Sequence, residues 1–386
     1  MIGSRILLYD SFSREEYKAN MKILKALVIF MVGAMAGIGV AVIGYGLHNH
    51  IDFSQKAQHL KNHVAIALDR TLGSKVRAAR LDHVTAPAAY FPPGSIWTQD
   101  ISHAPLDPQS SAMIAWLASA GGWGNNNRMQ VDFSIRVLQA DATTPYVSIK
   151  GPALNSVDSD PISTFPLPKG GGVEGQPGYQ CPAGDCHLIV ADRNHGKLYE
   201  AYSANYSNNI LTADMVAVWD LNRIYPPSGR GDQCTSADAA GFPIAPLLFN
   251  ADELATGSIN HAIRFTLPNQ RIRAHVYVHP ATHAGAPRGP ISAPPMGARF
   301  RLKASYDLSQ LTPAAQVVAR AMQKYGMFLA DGGNIALTAQ NDADTKAKYT
   351  DIDFNSRDLV DLKVTDFEVV EMGAPIRLTD DCVRNP

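Results

Sequence analysis

Between Ser258 and Ser305 polar and apolar residues alternate in three runs of strand character. In Arg271 to His279 the odd positions are Arg271, Arg273, His275, Tyr277 and His279, and the even positions are apolar. Arg299, Arg301 and Lys303 alternate with Phe300, Leu302 and Ala304 in the same way. Successive side chains of a strand leave on opposite faces, so these runs predict a sheet with one apolar side and one wet, cationic side. Further strands are expected over 187–192, 197–203, 215–220, 258–266 and 367–371, the first two joined by the turn Arg193-Asn194-His195-Gly196. Helices are expected over 108–119 and 312–325, the second with Thr312 as cap, Pro313 at its first position and Gly326 as its stop. Many short strands, Gly- and Pro-rich turns and few helices predict a mainly β fold, a β-sandwich of jelly-roll type with peripheral helices.

The run 258–279 reads as a hairpin. If Thr266 pairs with Arg271, Arg264 faces Arg273 and Ala262 faces His275, while His261 falls on the apolar side. A slip of one residue would set Phe265 against Arg273, so the first register is expected. Arg264, Tyr277, Arg273, His275 and the row Arg299, Arg301, Lys303 then become candidates for a polar groove.

With 46% hydrophobic and 18% charged residues the chain has a globular composition, and a net charge of −1 argues against nucleic acid as a partner. Residues 26–47 carry no charge and follow Lys18, Lys22 and Lys25. Their length suits one membrane-spanning helix with the N-terminus in the cytoplasm. The expected organisation is a cytoplasmic tail (1–20), a signal-anchor helix (21–50), a juxtamembrane segment with helical character at 55–79 (51–85), and an extracytoplasmic β-rich domain (86–386). A cleaved signal followed by secretion is the alternative.

All four cysteines, Cys181, Cys186, Cys234 and Cys382, lie beyond the apolar segment, where disulfides persist. Four thiols allow three pairings. Zinc at Cys181, Cys186 and His187 is the sharper alternative, and it lacks a second close cysteine pair. No cofactor or metal is therefore assigned.

Asp185 and His187 project to one side of a strand, a placement suited to acid–base work. Asp238 and Glu253 are carboxylates in small-residue loops of the kind that carry catalytic groups at a sheet rim. Asp331 precedes Gly332-Gly333, where a simple turn is the plainer explanation. The 151–178 stretch, rich in Pro, Gly and Ser, reads as a surface excursion. Phosphate-loop, Gly-x-Ser-x-Gly and His-Glu-x-x-His patterns do not occur in the sequence.

Several phrases carry a resemblance: Gly184-Asp185-Cys186-His187, Leu198-Tyr199-Glu200, Ser236-Ala237-Asp238-Ala239-Ala240-Gly241, His261-Ala262-Ile263-Arg264-Phe265-Thr266, Pro295-Met296-Gly297, Lys324-Tyr325-Gly326-Met327 and Phe367-Glu368-Val369-Val370. From about residue 91 to 371 the chain resembles a family of secreted bacterial proteins without an assigned activity. The family's usual Asp-Arg-His becomes Asp185-Cys186-His187 here, and its usual Trp before Thr-Ser-Ala-Asp becomes Cys234. The two departures imply a Cys186–Cys234 link, leaving Cys181 for Cys382.

The expected function is that of a carbohydrate-active protein facing the periplasm or exterior. It would bind a polysaccharide or cell-surface glycan, acidic ones included, and cleave it as a glycoside hydrolase or lyase. The alternative is a non-catalytic glycan-binding, adhesive or scaffold module. Catalytic candidates are Asp185, His187, Asp238, Glu253, Arg264 and Tyr277; substrate-binding candidates are Arg273, His275, Arg299, Arg301 and Lys303. The membrane is the second partner, through 26–47, and self-association is compatible with the pattern.

Overall fold

The computed structural model describes residues 81–385. The tail, the membrane segment and the helical stretch at 55–79 lie outside the described residues. Among the described residues no helix is long and apolar enough to cross a membrane.

Strands dominate, in the order β1 (Val131–Ile135), β2 (Leu138–Gln139), β3 (Tyr146–Lys150), β4 (Thr164–Pro166), β5 (His187–Asp192), β6 (Lys197–Tyr202), β7 (Asn205–Ser207), β8 (Ile210–Thr212), β9 (Met215–Asp220), β10 (Ile263–Leu267), β11 (Val276–Tyr277), β12 (Arg299–Leu302), β13 (Met327–Gly332), β14 (Leu337–Gln340), β15 (Phe367–Val369) and β16 (Ile376–Arg377). The longer helices are α1 (Ser110–Ser119), α2 (Ala251–Thr256) and α3 (Pro313–Lys324). Thr312 caps α3 by accepting the Ala315 N–H, as its sequence predicts.

Three sheets form layers. The central six-stranded sheet runs β1-β14-β10-β13-β12-β15, the middle one β2-β5-β6-β9 and the outer one β4-β3-β8-β7. Every residue of β5 is buried, because its two faces enter different cores. Ile189 and Ala191 pack toward the central sheet and helices, whereas Leu188 and Val190 pack toward Ile149, Phe165 and Leu211 of the outer sheet. That placement explains why Leu188 to Ala191 reads as an unbroken apolar run.

The expected hairpin does not form. β10 instead lies between β13 and β14, parallel to the first and antiparallel to the second. Residues after Leu267 turn away through a 3-10 turn at Asn269–Arg271, Arg273 bridges Gly289, and β11 pairs with β16. Met327–Ala330 of β13 is buried throughout and gives β10 an apolar partner, which a strand with cations at alternate positions would not. The pairings β1–β14, β10–β13, β2–β5 and β3–β8 are parallel, a feature the antiparallel jelly-roll expectation did not contain.

The disulfides also differ from the pairing the resemblance implies: Cys181 joins Cys186, and Cys234 joins Cys382. Cys181 and Cys186 close a short turn through Gly184, whose φ of 73° suits glycine. Both bonds take up the thiolates that a zinc site would need.

Candidate functional site

Arg264 sits mid-strand in β10, 2% exposed, on the face turned toward the middle sheet. Its Nη1 donates to the Thr338 hydroxyl of β14 at 2.9 Å and its Nη2 to Asp238 Oδ1 at 2.5 Å. The same Nη2 lies 3.5 Å from Asp331 Oδ2. Arg264 Nε is buried with no hydrogen-bond partner among the described residues.

Asp331 reaches that guanidinium because of a bulge. The parallel register runs Arg264 to Phe328 and Phe265 to Leu329, then skips Ala330 so that Thr266 meets Asp331. The extra residue turns Asp331 onto the face that carries Arg264, a known use of bulges beside functional sites.

Asp238 comes from the loop that begins at Thr235. Its Oδ2 accepts the N–H groups of Ala240 and Phe242 at 3.1 and 3.4 Å. The loop is held from below by Glu200 of β6, fully buried, whose Oε1 accepts the Ile244 and Ala245 N–H groups and whose Oε2 accepts the Trp219 indole. Burial pushes the Glu200 carboxyl up to about 7 against those three donors. From outside, Cys234–Cys382 ties the start of the loop to the C-terminal segment.

His187 opens β5 opposite Tyr202 of β6. Its Nδ1 lies 2.6 Å from Glu174 Oε2 and its Nε2 lies 2.9 Å from the Ala237 carbonyl. A carboxylate and a carbonyl only accept, so this placement suits the imidazolium form of His187, in which both ring nitrogens donate. Burial alone would lower its pKa, but the Glu174 carboxylate overrides burial and raises it. Glu174 is shifted down for the complementary reason: burial pushes upward and is outweighed by His187 and by the Ser134 hydroxyl.

These groups line a cavity of about 710 Å³ together with Asp132, Asp185 and Tyr202. The His187–Glu174 pair cancels its charges and Arg264 balances one carboxylate of the Asp238–Asp331 pair, which leaves Asp132 and Asp185 to make the cavity electronegative. Burial raises the pKa of Asp331, with Arg264 and His187 opposing and the charge of Asp185 reinforcing the shift. Burial and Asp331 likewise raise Asp238 against Arg264. Two carboxyls sharing one guanidinium titrate as a unit, and one of them is poised to hold a proton.

Of the residues singled out in the sequence, Asp185, His187, Asp238 and Arg264 meet in this cavity. Glu253 does not: it closes the capping box of α2 and pairs with His261 Nε2 at 3.0 Å, beside a second cavity. Tyr277 is buried elsewhere, donating to Asp232 Oδ1 and accepting the Gln233 N–H. Arg273 donates to the Ala293 carbonyl, and His275 is exposed with a φ of 61°. Arg299 and Arg301 are buried rather than wet. Arg299 donates to the Tyr325 and Gln99 carbonyls, Arg301 to Ile101 and Ala104 and to Glu368, and Lys303 donates to Thr365. The expected cationic face is therefore a set of staples between strand β12 and neighbouring loops.

Sequence reasoning passed over Glu174 and Asp132 and gave Asp331 the plainer reading. Glu174 lies in the Gly-rich stretch taken for a surface excursion, yet its N–H donates to the His187 carbonyl at 2.8 Å. A lone acid inside a glycine-rich segment was the available signal. Comparison with protein-family models, curated proteins and solved structures yields no match, so what this site does is argued from its own geometry.

Proposed function

We propose that the cavity is the active site of an extracytoplasmic carbohydrate-active hydrolase, carried by a β-rich domain behind an N-terminal membrane anchor. The observation that bears this reading is the carboxyl pair Asp238 and Asp331 on one nitrogen of buried Arg264, at the floor of an electronegative cavity. Glycoside cleavage needs one carboxyl held protonated and another ionised. Asp331, the more accessible of the pair, is the general acid: it gives its proton to the glycosidic oxygen as the bond to the anomeric carbon breaks. Asp185, whose charge already acts on Asp331, takes the proton of the water that attacks that carbon. Arg264 and Asp238 set the position of Asp331, and His187 with Glu174 fixes the wall beside Ala237.

The charge left in the cavity favours a neutral or amine-bearing glycan over the acidic one expected from the cationic runs. The two disulfides suit an oxidising compartment, which supports the extracytoplasmic placement.

The test is to incubate the full chain in detergent micelles with neutral, basic and acidic polysaccharides and to assay new reducing ends. Cleavage that falls about 10²–10⁴-fold in Asp331→Asn, with the fold intact, is the expected result. Glycan binding without any product would establish the non-catalytic module instead.

A further inference from the structure

A second cavity of about 460 Å³ opens near the other end of β10 and β14, lined among others by Tyr90, Trp97, Asn250, Asn260 and Gln340. Its charged side chains already have partners. Glu253 faces His261 at 3.0 Å, and the His261 Nδ1 faces the Ala262 carbonyl at 2.8 Å. Asp344 takes a two-pronged contact from Arg136, Asp252 accepts the Ala347 N–H, and Arg193 donates to the Ala88 and Ala89 carbonyls while lying over the Tyr90 ring.

Its amides are different. Gln340 is 8% exposed; its main chain donates to the Phe249 carbonyl and accepts the Tyr349 hydroxyl, and its side-chain amide has no partner among the described residues. Asn250, equally buried, uses its side-chain oxygen to cap Glu253, and its NH₂ has no acceptor among the described residues. Both amides open onto the cavity, where a bound ligand takes over the hydrogen bonds that solvent otherwise makes to them. With its charged side chains partnered within the protein and the Asn250 and Gln340 amides open to the cavity, the complementary ligand is uncharged and hydroxyl-rich.

The position of Gln340 links this cavity to the first. Thr338 and Gln340 stand two residues apart on one face of β14, about 7 Å along the strand. Thr338 bonds Arg264 in the acid–base cavity, and Gln340 lines the second.

We propose that the second cavity is a binding subsite for neutral sugar units, separate from the reacting groups, that holds part of the glycan whose cleavage is assigned to the first. The link between the cavities rests on the hydrolase reading; the sugar site itself does not.

The test uses the full chain in micelles with Asp331→Asn, which prevents turnover, titrated calorimetrically with neutral oligosaccharides of defined length from glucans, mannan and galactan. Binding is expected, and adding Gln340→Leu weakens it about tenfold. Asn260→Trp at the exposed rim has the same effect by blocking entry, without altering a buried group. Unchanged binding in both variants, no binding of any neutral oligosaccharide, or binding of charged ones alone overturns the proposal. Binding that depends on Gln340 with no cleavage by the parent chain leaves this subsite standing and removes the hydrolase. Cleavage that depends on Asp331 while KM and binding ignore both Gln340 and Asn260 does the reverse.

Discussion

Arg264 and Arg299 stand in one row of the central sheet, each in register with Phe328 of the strand between them. Both are buried strand residues flanked by apolar neighbours, and sequence pattern treats them alike. Their surroundings divide them. Arg299 gives its donors to the carbonyls of Tyr325 and Gln99 and lies over the Phe328 ring, with no carboxylate in contact among the described residues; burial lowers its pKa to about 9. Arg264 holds two carboxyls, leaves Nε unpartnered and borders a cavity. An arginine matched to main-chain carbonyls fastens segments together, whereas one matched to titratable groups beside open space controls their protonation. Residue type and spacing do not separate these roles; partner chemistry does.

The comparison breaks most sharply at Arg264→Met. Removing the guanidinium leaves Asp238 buried without its counter-charge, which should cost about 3–5 kcal/mol of stability. It also releases Asp331 from its position, so catalysis should vanish even in the folded fraction. Denaturant unfolding and reducing-end assays report the two effects separately. A variant of full stability and activity would mean that the Arg264 cluster is neither structural core nor active site.

Arg299→Met is the control. The Tyr325 and Gln99 carbonyls lose a charged donor, and about 2–3 kcal/mol of stability should go with them. In the folded fraction KM and kcat should stay at the parent values. A selective loss of turnover at Arg299 would restore the cationic row to the functional surface.

The same contrast explains what could be read from the chain beforehand. Strand identity was legible wherever alternation or an apolar run was local: 187–192, 197–202 and 215–220 are strands, and the Thr312-Pro313 start marks α3. Asp185 and His187 both line the cavity, but Asp185 precedes β5 rather than sharing the strand, and His187 pairs with Glu174 instead. Register was not legible. The partner of β10 lies some sixty residues downstream in β13, and no short-range pattern specifies it. Asp331 was hidden for a subtler reason, since a bulge at Ala330 decides its face and bulges leave little trace in alternation. The disulfides depended on which loops the fold brings together, a question that spacing leaves open.

The smallest expected effect sharpens the comparison by pH. His187 and Glu174 form the cavity wall as an ion pair, with the histidine shifted up from 6.5 and the carboxyl shifted down from 4.5. A raised histidine contributes stability that is full below its unfolded value and is lost as pH rises through its folded one. A lowered carboxyl contributes stability present above its unfolded value and lost as pH falls through its folded one. The pair is therefore most stabilising between 4.5 and 6.5 and weakens on both sides. Unfolding midpoints of the parent chain and Glu174→Gln, followed across pH, should differ most in that window, by less than either arginine substitution costs. Arg299→Met should leave this profile unchanged, because its carbonyl partners do not titrate. A Glu174→Gln difference that is flat with pH would show that His187 is neutral and that the wall of the cavity carries no charge pair.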